Sequence, residues 1–452
     1  MKNSLLLKLF IAILLMNTSM VFAQNATLVP VVSTDDAIMI KVSDNGLWAA
    51  GYYEEETIYY GAKIWNLTTY EAIDLIPAGE SAAAFDVTDD GKMAVGSYNN
   101  KPAYWENGIW TELPMPIEGG MGGVYSVTPD GSKMGGRVIS ANYATGYACV
   151  WENGELIEVN HANVDRFGEN ANFNEINGIS ADGNTILGCL NYTVLPNRTA
   201  FLMKNGEYQM FGDWVYDPET GGDEYNFYDV LSLSPNGKWV TGDIYWVEEI
   251  WVQEGWCPFR YDVENDVVEL FLDDAEVASF ASDNYGNLFG ATPLNFPMRS
   301  ALILKNGQWI SLDQEILSEY GLNVFDETGY DELGNVFSVS SDGKTIVGCA
   351  GTGLSVRKNN WVLKLDVSTS TGGAIQKANP MKAMVKGSRL LLTGIVSDVT
   401  VCDLQGKIVL DEQIAGSAAI FNVSHLPAGI YVVNMTDEHK NTVSNKVYIG
   451  SN

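Results

Sequence analysis

Cysteine is scarce in this chain, with five in 452 residues. A sparse, odd set excludes a disulfide scaffold, and its spacing fits no zinc or redox motif. Cys189 and Cys349 follow the closing glycine of two separate repeats, and Cys149, Cys257 and Cys402 sit in strand-like runs, so single buried thiols are expected. Histidine is scarcer still. Of three, His425 and His439 lie near the C-terminus, which leaves His161 alone in the main body as a loop or packing residue. There is no G-x-S-x-G elbow, no H-E-x-x-H helix and no phosphate-binding loop. Neither cofactor nor metal is expected.

Basic residues are also few, 26 against 57 acidic. From Ala374 onward there are 7 basic and 6 acidic residues, so the excess lies upstream, with 17 basic and 51 acidic residues over 24–373. Such a body is repelled by phosphate backbones and anionic membranes, so nucleic acid is excluded as a partner. Neutral ligands and cations remain admissible. After the first 23 residues no run approaches the roughly 20 apolar residues of a membrane-spanning helix, and no transmembrane segment is expected.

The N-terminus reads as an export signal. Lys2 and Lys8 precede an apolar run from Leu9 to Met16, and Val21-Phe22-Ala23 is a small-residue cleavage site, with the cut after Ala23. Gln24 follows the cut where a lipoprotein would need Cys. Residues 1–23 are therefore expected to be removed, leaving an exported, soluble protein.

One pattern recurs through the body: an apolar residue, Ser or Thr, a spacer, Asp or Asn, Gly, then apolar residues closing on another Gly. Val87-Thr88-Asp89-Asp90-Gly91 up to Gly96 and Val339-Ser340-Ser341-Asp342-Gly343 up to Gly348 are two instances. Others turn at Gly46, Gly131, Gly183 and Gly237, and a degenerate one turns at Gly286. The steps between turn glycines are 45, 40, 52, 54, 49 and 57 residues. Asp-Gly or Asn-Gly supplies the positive φ of a tight hairpin, and the closing Gly permits close backbone approach or a bulge. A second pattern follows each hairpin, with Ala, a large apolar residue and Asn-Gly, as in Ala103-Tyr104-Trp105-Glu106-Asn107-Gly108. A later Leu, Leu113 or Leu312, ends the next strand, and two hairpins make four strands, the content of one propeller blade. The expected fold is all-β: a seven-bladed β-propeller over 24–366, with six or eight blades left open by the weak sixth repeat. The unattached strand Leu28–Val32 is expected to complete the last blade and close the ring.

These paired motifs resemble the HAF-type repeats of bacterial extracellular propellers over roughly residues 40 to 365. The resemblance implies the fold and little about function. A sialidase Asp-box places a residue between Asp and Gly, which these repeats do not, so that assignment is rejected. After a small-residue linker over 367–373, residues 374–452 read as a small antiparallel β-sandwich. Asn379-Pro380, Val401-Cys402-Asp403-Leu404-Gln405-Gly406-Lys407 and Leu426-Pro427-Ala428-Gly429-Ile430-Tyr431 resemble the C-terminal sorting domain of type IX secretion. That resemblance implies type IX secretion machinery as a partner and a secreted or outer-membrane cell-surface location. A retained immunoglobulin-like accessory domain is the alternative. The linker's composition predicts a tail that folds apart from the propeller and shares no interface with it.

The aromatic irregularities are the candidate binding residues. Trp214 and Tyr216 stretch the fourth repeat, and Trp246, Trp251 and Trp256 the fifth. Aromatic faces beside carboxylates suit a sugar, and propeller insertions emerge as loops where binding residues collect. Aromatics packed between blades are the alternative. Asp89-Asp90 and Asp273-Asp274 are the densest acid pairs, and turn service rather than calcium is the expected use of such aspartates. The expected function is a secreted or cell-surface, non-catalytic binding module for a glycan or protein. The alternative is a secreted glycan-acting hydrolase using two of the body's carboxylates.

Overall fold

The structure is a computed structural model that describes residues 26–450 except 33–35, 56–57, 77–79, 144, 161–172, 192–197, 205, 212–227, 249–252, 272–276, 293–299, 306, 351–358, 366–380, 387–388, 438–439 and 441. Strand β1 (Ala26–Val32) precedes a series of four-stranded antiparallel meanders. The first unit is β2 (Ile38–Val42), β3 (Trp48–Glu55), β4 (Ile58–Asn66) and β5 (Glu71–Asp74). The second is β6 (Ala82–Val87), β7 (Met93–Tyr98), β8 (Lys101–Glu106) and β9 (Ile109–Glu112). Next come β10 (Met121–Val127), β11 (Lys133–Ile139), β12 (Gly146–Glu152) and β13 (Glu155–Asn160). They are followed by β14 (Phe173–Ile179), β15 (Thr185–Asn191), β16 (Arg198–Lys204) and β17 (Glu207–Phe211). Strands β18 (Tyr228–Leu233), β19 (Trp239–Glu248), β20 (Gln253–Asp262) and β21 (Val267–Leu270) form the next unit. After it stand β22 (Ala278–Ser282), β23 (Leu288–Ala291), β24 (Ala301–Lys305) and β25 (Gln308–Ser311).

Two helices, α1 (Leu312–Tyr320) and α2 (Val324–Thr328), then lead to β26 (Asn335–Val339), β27 (Thr345–Cys349) and β28 (Asn359–Leu365). This last unit has three strands of its own. Its fourth is β1, which pairs antiparallel with β28 so that Leu28 faces Leu363 and Val32 faces Asn359. The N-terminal strand thus closes onto the last sheet as its sequence implied. The first strand of each unit packs against the first strand of the next, and β26 packs against β2. These strands are therefore innermost, and the units run around a common axis as in a propeller.

The repeat motif builds the hairpin between the first and second strands. In the second unit the Thr88 hydroxyl donates to Asp90 Oδ1 at 2.9 Å, and the same oxygen accepts the Lys92 N–H at 3.0 Å, while Gly91 takes φ 67°. The Lys92 ammonium and its backbone N–H hold the Asp90 carboxyl below the usual range. The turn aspartates thus spend their oxygens on the turn itself. The spacer residue links neighbouring units: the Asp89 N–H donates to the Pro129 carbonyl at 3.1 Å, and Ser341 to Asp44 at 2.9 Å. In the degenerate sixth repeat Asp283 stands where others have Ser or Thr. Its Oδ1 accepts the N–H groups of Tyr285 and Asn287, both at 2.9 Å, so the shortened hairpin still closes.

The closing glycine is dictated by a bulge. The ladder slips between Ala84 and Asp86, so one residue of β6 has no partner on β7. A Cβ on Gly96, opposite the slip, would lie 1.9 Å from the Ala83 carbonyl oxygen. The Asn-Gly turns between third and fourth strands take φ 53° and 85° at Asn107 and Gly108, the paired positive values of a two-residue hairpin. Large side chains of the third strands fill the space between units. Trp65, Trp151 and Trp361 are fully buried, and the Trp151 indole donates to the Pro114 carbonyl at 2.8 Å.

Three sequence expectations need correction. Leu312 reads as a strand end but opens α1: Ser311 caps it, Asp313 and Glu315 occupy its first turn, and Gly321 ends it at φ 71°. The long last step between turn glycines is this helical insertion. Of the cysteines, Cys149, Cys189 and Cys349 are buried thiols outside any disulfide, as expected, but Cys402 is partly exposed.

The third correction concerns the tail. Its strands are β29 (Lys382–Lys386), β30 (Arg389–Asp403), β31 (Ile408–Asn422), β32 (Gly429–Thr436) and β33 (Thr442–Ile449). The tail does share an interface with the propeller, because β31 pairs antiparallel with β21, the outer strand of its unit. Linker composition reports local chain stiffness and carries no information about an open sheet edge elsewhere that needs a partner.

Candidate functional site

The two ends of the ring differ in the length of their connections. Every turn from first to second strand spans five residues: 43–47, 88–92, 128–132, 180–184, 234–238, 283–287 and 340–344. Strands alternate in direction, so the connections from second to third strand and from one unit to the next share the opposite end. There they run from two residues, 99–100, to sixteen, 212–227, and twenty-three, 312–334. Uniform turns serve the ring. The varied end is where a propeller carries its individual chemistry.

Of the predicted aromatic residues, Trp246 and Trp256 belong to this varied end. Trp214 and Tyr216 fall in the connection from β17 to β18, and Trp251 in that from β19 to β20; all three lie outside the described residues, as do Ala23, His161 and the Asp273-Asp274 pair. Trp246 and Trp256 lie in the β19–β20 hairpin, where Trp246 is opposite Gly255 and Trp256 opposite Tyr245. The register thus sets these two one step apart near the hairpin tip, at positions that alternate between its two faces.

The axial wall was not anticipated as a site. On six of the first strands the bulge position is half-buried on the innermost strand of its unit. Ile40, Phe85, Tyr125, Asn177, Phe280 and Phe337 occupy it. Phe85 and Tyr125 are 5.3 Å apart, and Tyr52 meets Phe85 edge-on at 5.5 Å. The periodic reading missed this ring because a bulge breaks the two-residue alternation.

In three units the next residue along the first strand ties neighbouring units together. Ser126 Oγ accepts the Ile179 N–H at 3.0 Å, and Ser338 Oγ accepts the Val42 N–H at 3.2 Å. Asp86 Oδ2 accepts the Val127 N–H at 3.0 Å in the same way. Lys41 fills the equivalent place in the first unit and has no acceptor to offer. Asp86 Oδ1 instead accepts the N–H of Val87 at 2.9 Å. Burial pushes the Asp86 carboxyl up to about 7 against the pull of Lys41 and both amides, and Asp44 adds to the rise. Burial also lifts Asp44 to about 6. Farther around the wall Arg137 donates to Glu175 at 2.8 Å, and the Cys189 thiol to the same carboxylate at 3.2 Å. The wall therefore offers flat apolar faces and short polar pairs, with Arg137 Nε and Asn177 Oδ1 buried and left without a hydrogen-bond partner among the described residues.

Residues 379–450 match the secretion system C-terminal sorting domain family. No curated protein matches the chain. Among solved structures it is similar to an oligogalacturonate lyase in complex with manganese, at 12% identity over 76% of this chain and 98% of that one, with a TM-score of 0.48. It is also similar to the β-propeller domain of the Trilobed protease from Pyrococcus furiosus, at 12% identity over 75% and 99% of the two chains, with a TM-score of 0.44. The Swd1 β-propeller domain from Myceliophteria thermophila is another, at 11% identity over 75% and 100%, with a TM-score of 0.43.

Proposed function

We propose that this chain is a secreted or cell-surface propeller of seven blades that binds a glycan or protein, without catalysis, through the end carrying its long connections. The observation that supports this most is the contrast between uniform five-residue turns at one end and connections of up to twenty-three residues at the other. A ring needs the first; of the second, 312–334 packs Leu312, Ile316, Val324 and Leu333 into the core beside Trp361, so the other long connections carry the argument. Trp214, Tyr216, Trp246, Trp251 and Trp256 are the proposed contacts. The cycle of packed first strands supports the count of seven. The match of residues 379–450 supports export by type IX secretion machinery, with residues 1–23 as the signal, 24–366 as the propeller, 367–373 as the linker and 374–452 as a sandwich-like sorting tail.

The hydrolase alternative requires two carboxylates that both reach a substrate. Asp44, Asp86 and Asp89 are neighbouring acids of raised pKa, and Asp89 Oδ1 already accepts the Asn45 N–H. Asp86 is 4% exposed and both of its oxygens accept backbone N–H groups, so it is committed to joining blades. Binding is the better reading on that ground.

The test is a glycan-array screen of the full chain, followed by Trp246→Ala and Trp251→Ala. A stacked aromatic anchor contributes about 1–3 kcal/mol, so each change should weaken binding roughly 5- to 150-fold at an unchanged melting temperature. Lost stability with no selective loss of binding would make them packing residues and end the assignment.

A further inference from the structure

The outer edge of the β18–β21 sheet is a strand-addition surface, and its occupant is the chain's own tail. Val267, Val268, Glu269 and Leu270 of β21 pair antiparallel with Phe421, Ile420, Ala419 and Ala418 of β31. The same stretch of β31 pairs on its other side with Leu390 to Thr393 of β30, so it is an interior strand of a continuous sheet. The two bodies also exchange side chains. Ile420 of the tail is 4% exposed within the propeller cluster of Phe259, Tyr261, Val268 and Leu270. Val267 of the propeller is 7% exposed within the tail cluster of Leu390, Phe421 and Val423. Beside this seam a cleft of about 310 Å³ is lined by Asn265 and Asp266 from the propeller and by Leu410, Glu412 and His425 from the tail. Burial and the nearby Asp262 raise the Glu412 carboxyl, which places that tail residue against the propeller's acidic flank.

We infer that the tail is a non-covalently bound strand ligand of the propeller, held by β21–β31 pairing and the exchanged Ile420 and Val267, so that severing the linker does not release it. Main-chain pairing supplies the adhesion and the two exchanged side chains fix the register. A free β21 would be a bare apolar edge, which is the feature such pairing removes. This inference rests on the sorting-domain reading only for the tail's name; the contact stands without it.

The experiment places a specific protease site within 367–373 of the full chain and cuts it to completion. Gel filtration at about 1 µM should then return both fragments in one peak, as a dissociation constant below that concentration requires. Hydrogen exchange on the uncut chain should show all amides from Val267 to Leu270 protected, whereas a bare edge strand exposes every second one. Ile420→Lys should separate the cut fragments. Two folded fragments that elute apart at 1 µM, or alternating fast exchange along β21, would overturn the inference. If Ile420→Lys unfolds the tail, the exchange pattern of the unmodified chain still decides. Failure here leaves the glycan or protein ligand untouched, because that assay reads the opposite end of the sheet.

Discussion

Asp86→Asn should make the propeller more stable at pH 8, although it removes an acceptor from a buried network. In the folded chain Asp86 is 4% exposed and its carboxyl is pushed up to about 7 from 3.8. The folded state therefore holds this proton over a range in which the unfolded chain has lost it. Stability from this group is complete below about 4, falls as pH rises, and is lost once pH passes about 7. Three pH units at about 1.4 kcal/mol each give a loss of about 4 kcal/mol between pH 4 and pH 8. A protonated Asp keeps acceptor capacity on both oxygens, whereas an Asn offers one acceptor to the two amides and turns its NH2 toward the other, an offset of about 1–3 kcal/mol against the variant at every pH. The variant should accordingly trail by that amount near pH 4, and the difference should move in its favour by about 4 kcal/mol by pH 8. Asp313, raised to about 6 mainly by burial, slopes the same way in both proteins and cancels in the difference, whereas Asp44 is coupled to Asp86 and cancels only in part. Urea unfolding midpoints at half-unit steps of pH measure the gap. Parallel curves, or a variant weaker at every pH, would refute the reasoning: the two amides and Lys41 would then hold Asp86 ionised as an ordinary carboxylate.

Ser338→Ala removes the acceptor of the buried Val42 N–H at the junction of the last and first units, and should cost about 1–3 kcal/mol in urea unfolding. Gly96→Val places a Cβ 1.9 Å from the Ala83 carbonyl oxygen, backbone that cannot yield, so the variant should fail to give soluble folded protein; a melting curve like that of the parent would show that the bulge can relax. Trp361→Phe deletes the indole donor to the Leu333 carbonyl, a 2.6 Å bond, and should likewise cost about 1–3 kcal/mol, read as a lower melting temperature.

The elements legible in the sequence are those whose cause is local. Asn107-Gly108 needs positive φ at two successive residues, and few other pairs accept it. The same holds for Thr88-x-Asp90-Gly91, where hydroxyl and carboxylate close the turn within five residues. Even the strand Leu28–Val32 was legible, since a last unit one strand short leaves a single candidate. What stayed hidden is non-local. Asp86 lies in the run Ala82–Val87 and looks like the polar half of an alternation until the bulge turns it toward Val127, 41 residues away. The Ser311 cap and the acids after it were present as a helix signal, but Leu312 reads as the end of the strand that stops at Ser311. The candidate aromatic cluster was legible only as surplus length, and surplus length identifies an end of the ring without identifying a contact.

The fifth unit carries both the proposed ligand contacts and the tail, and the register shows why the two need not compete. Strand β21 pairs with β20 only from Phe259 to Asp262. Residues 253–258 of β20 pair with β19 alone, and Trp246 and Trp256 lie in that overhanging half of the hairpin. The tail adds to β21 at Val267–Leu270, on the half nearer the uniform turns. A strand added there extends the sheet sideways, while the aromatic tip extends past it along the strand direction. Ligand binding at the tip should therefore be equal in the intact and linker-cut proteins. A clear change in ligand affinity on cutting would mean that the tail reaches beyond β21 to the varied end of the ring.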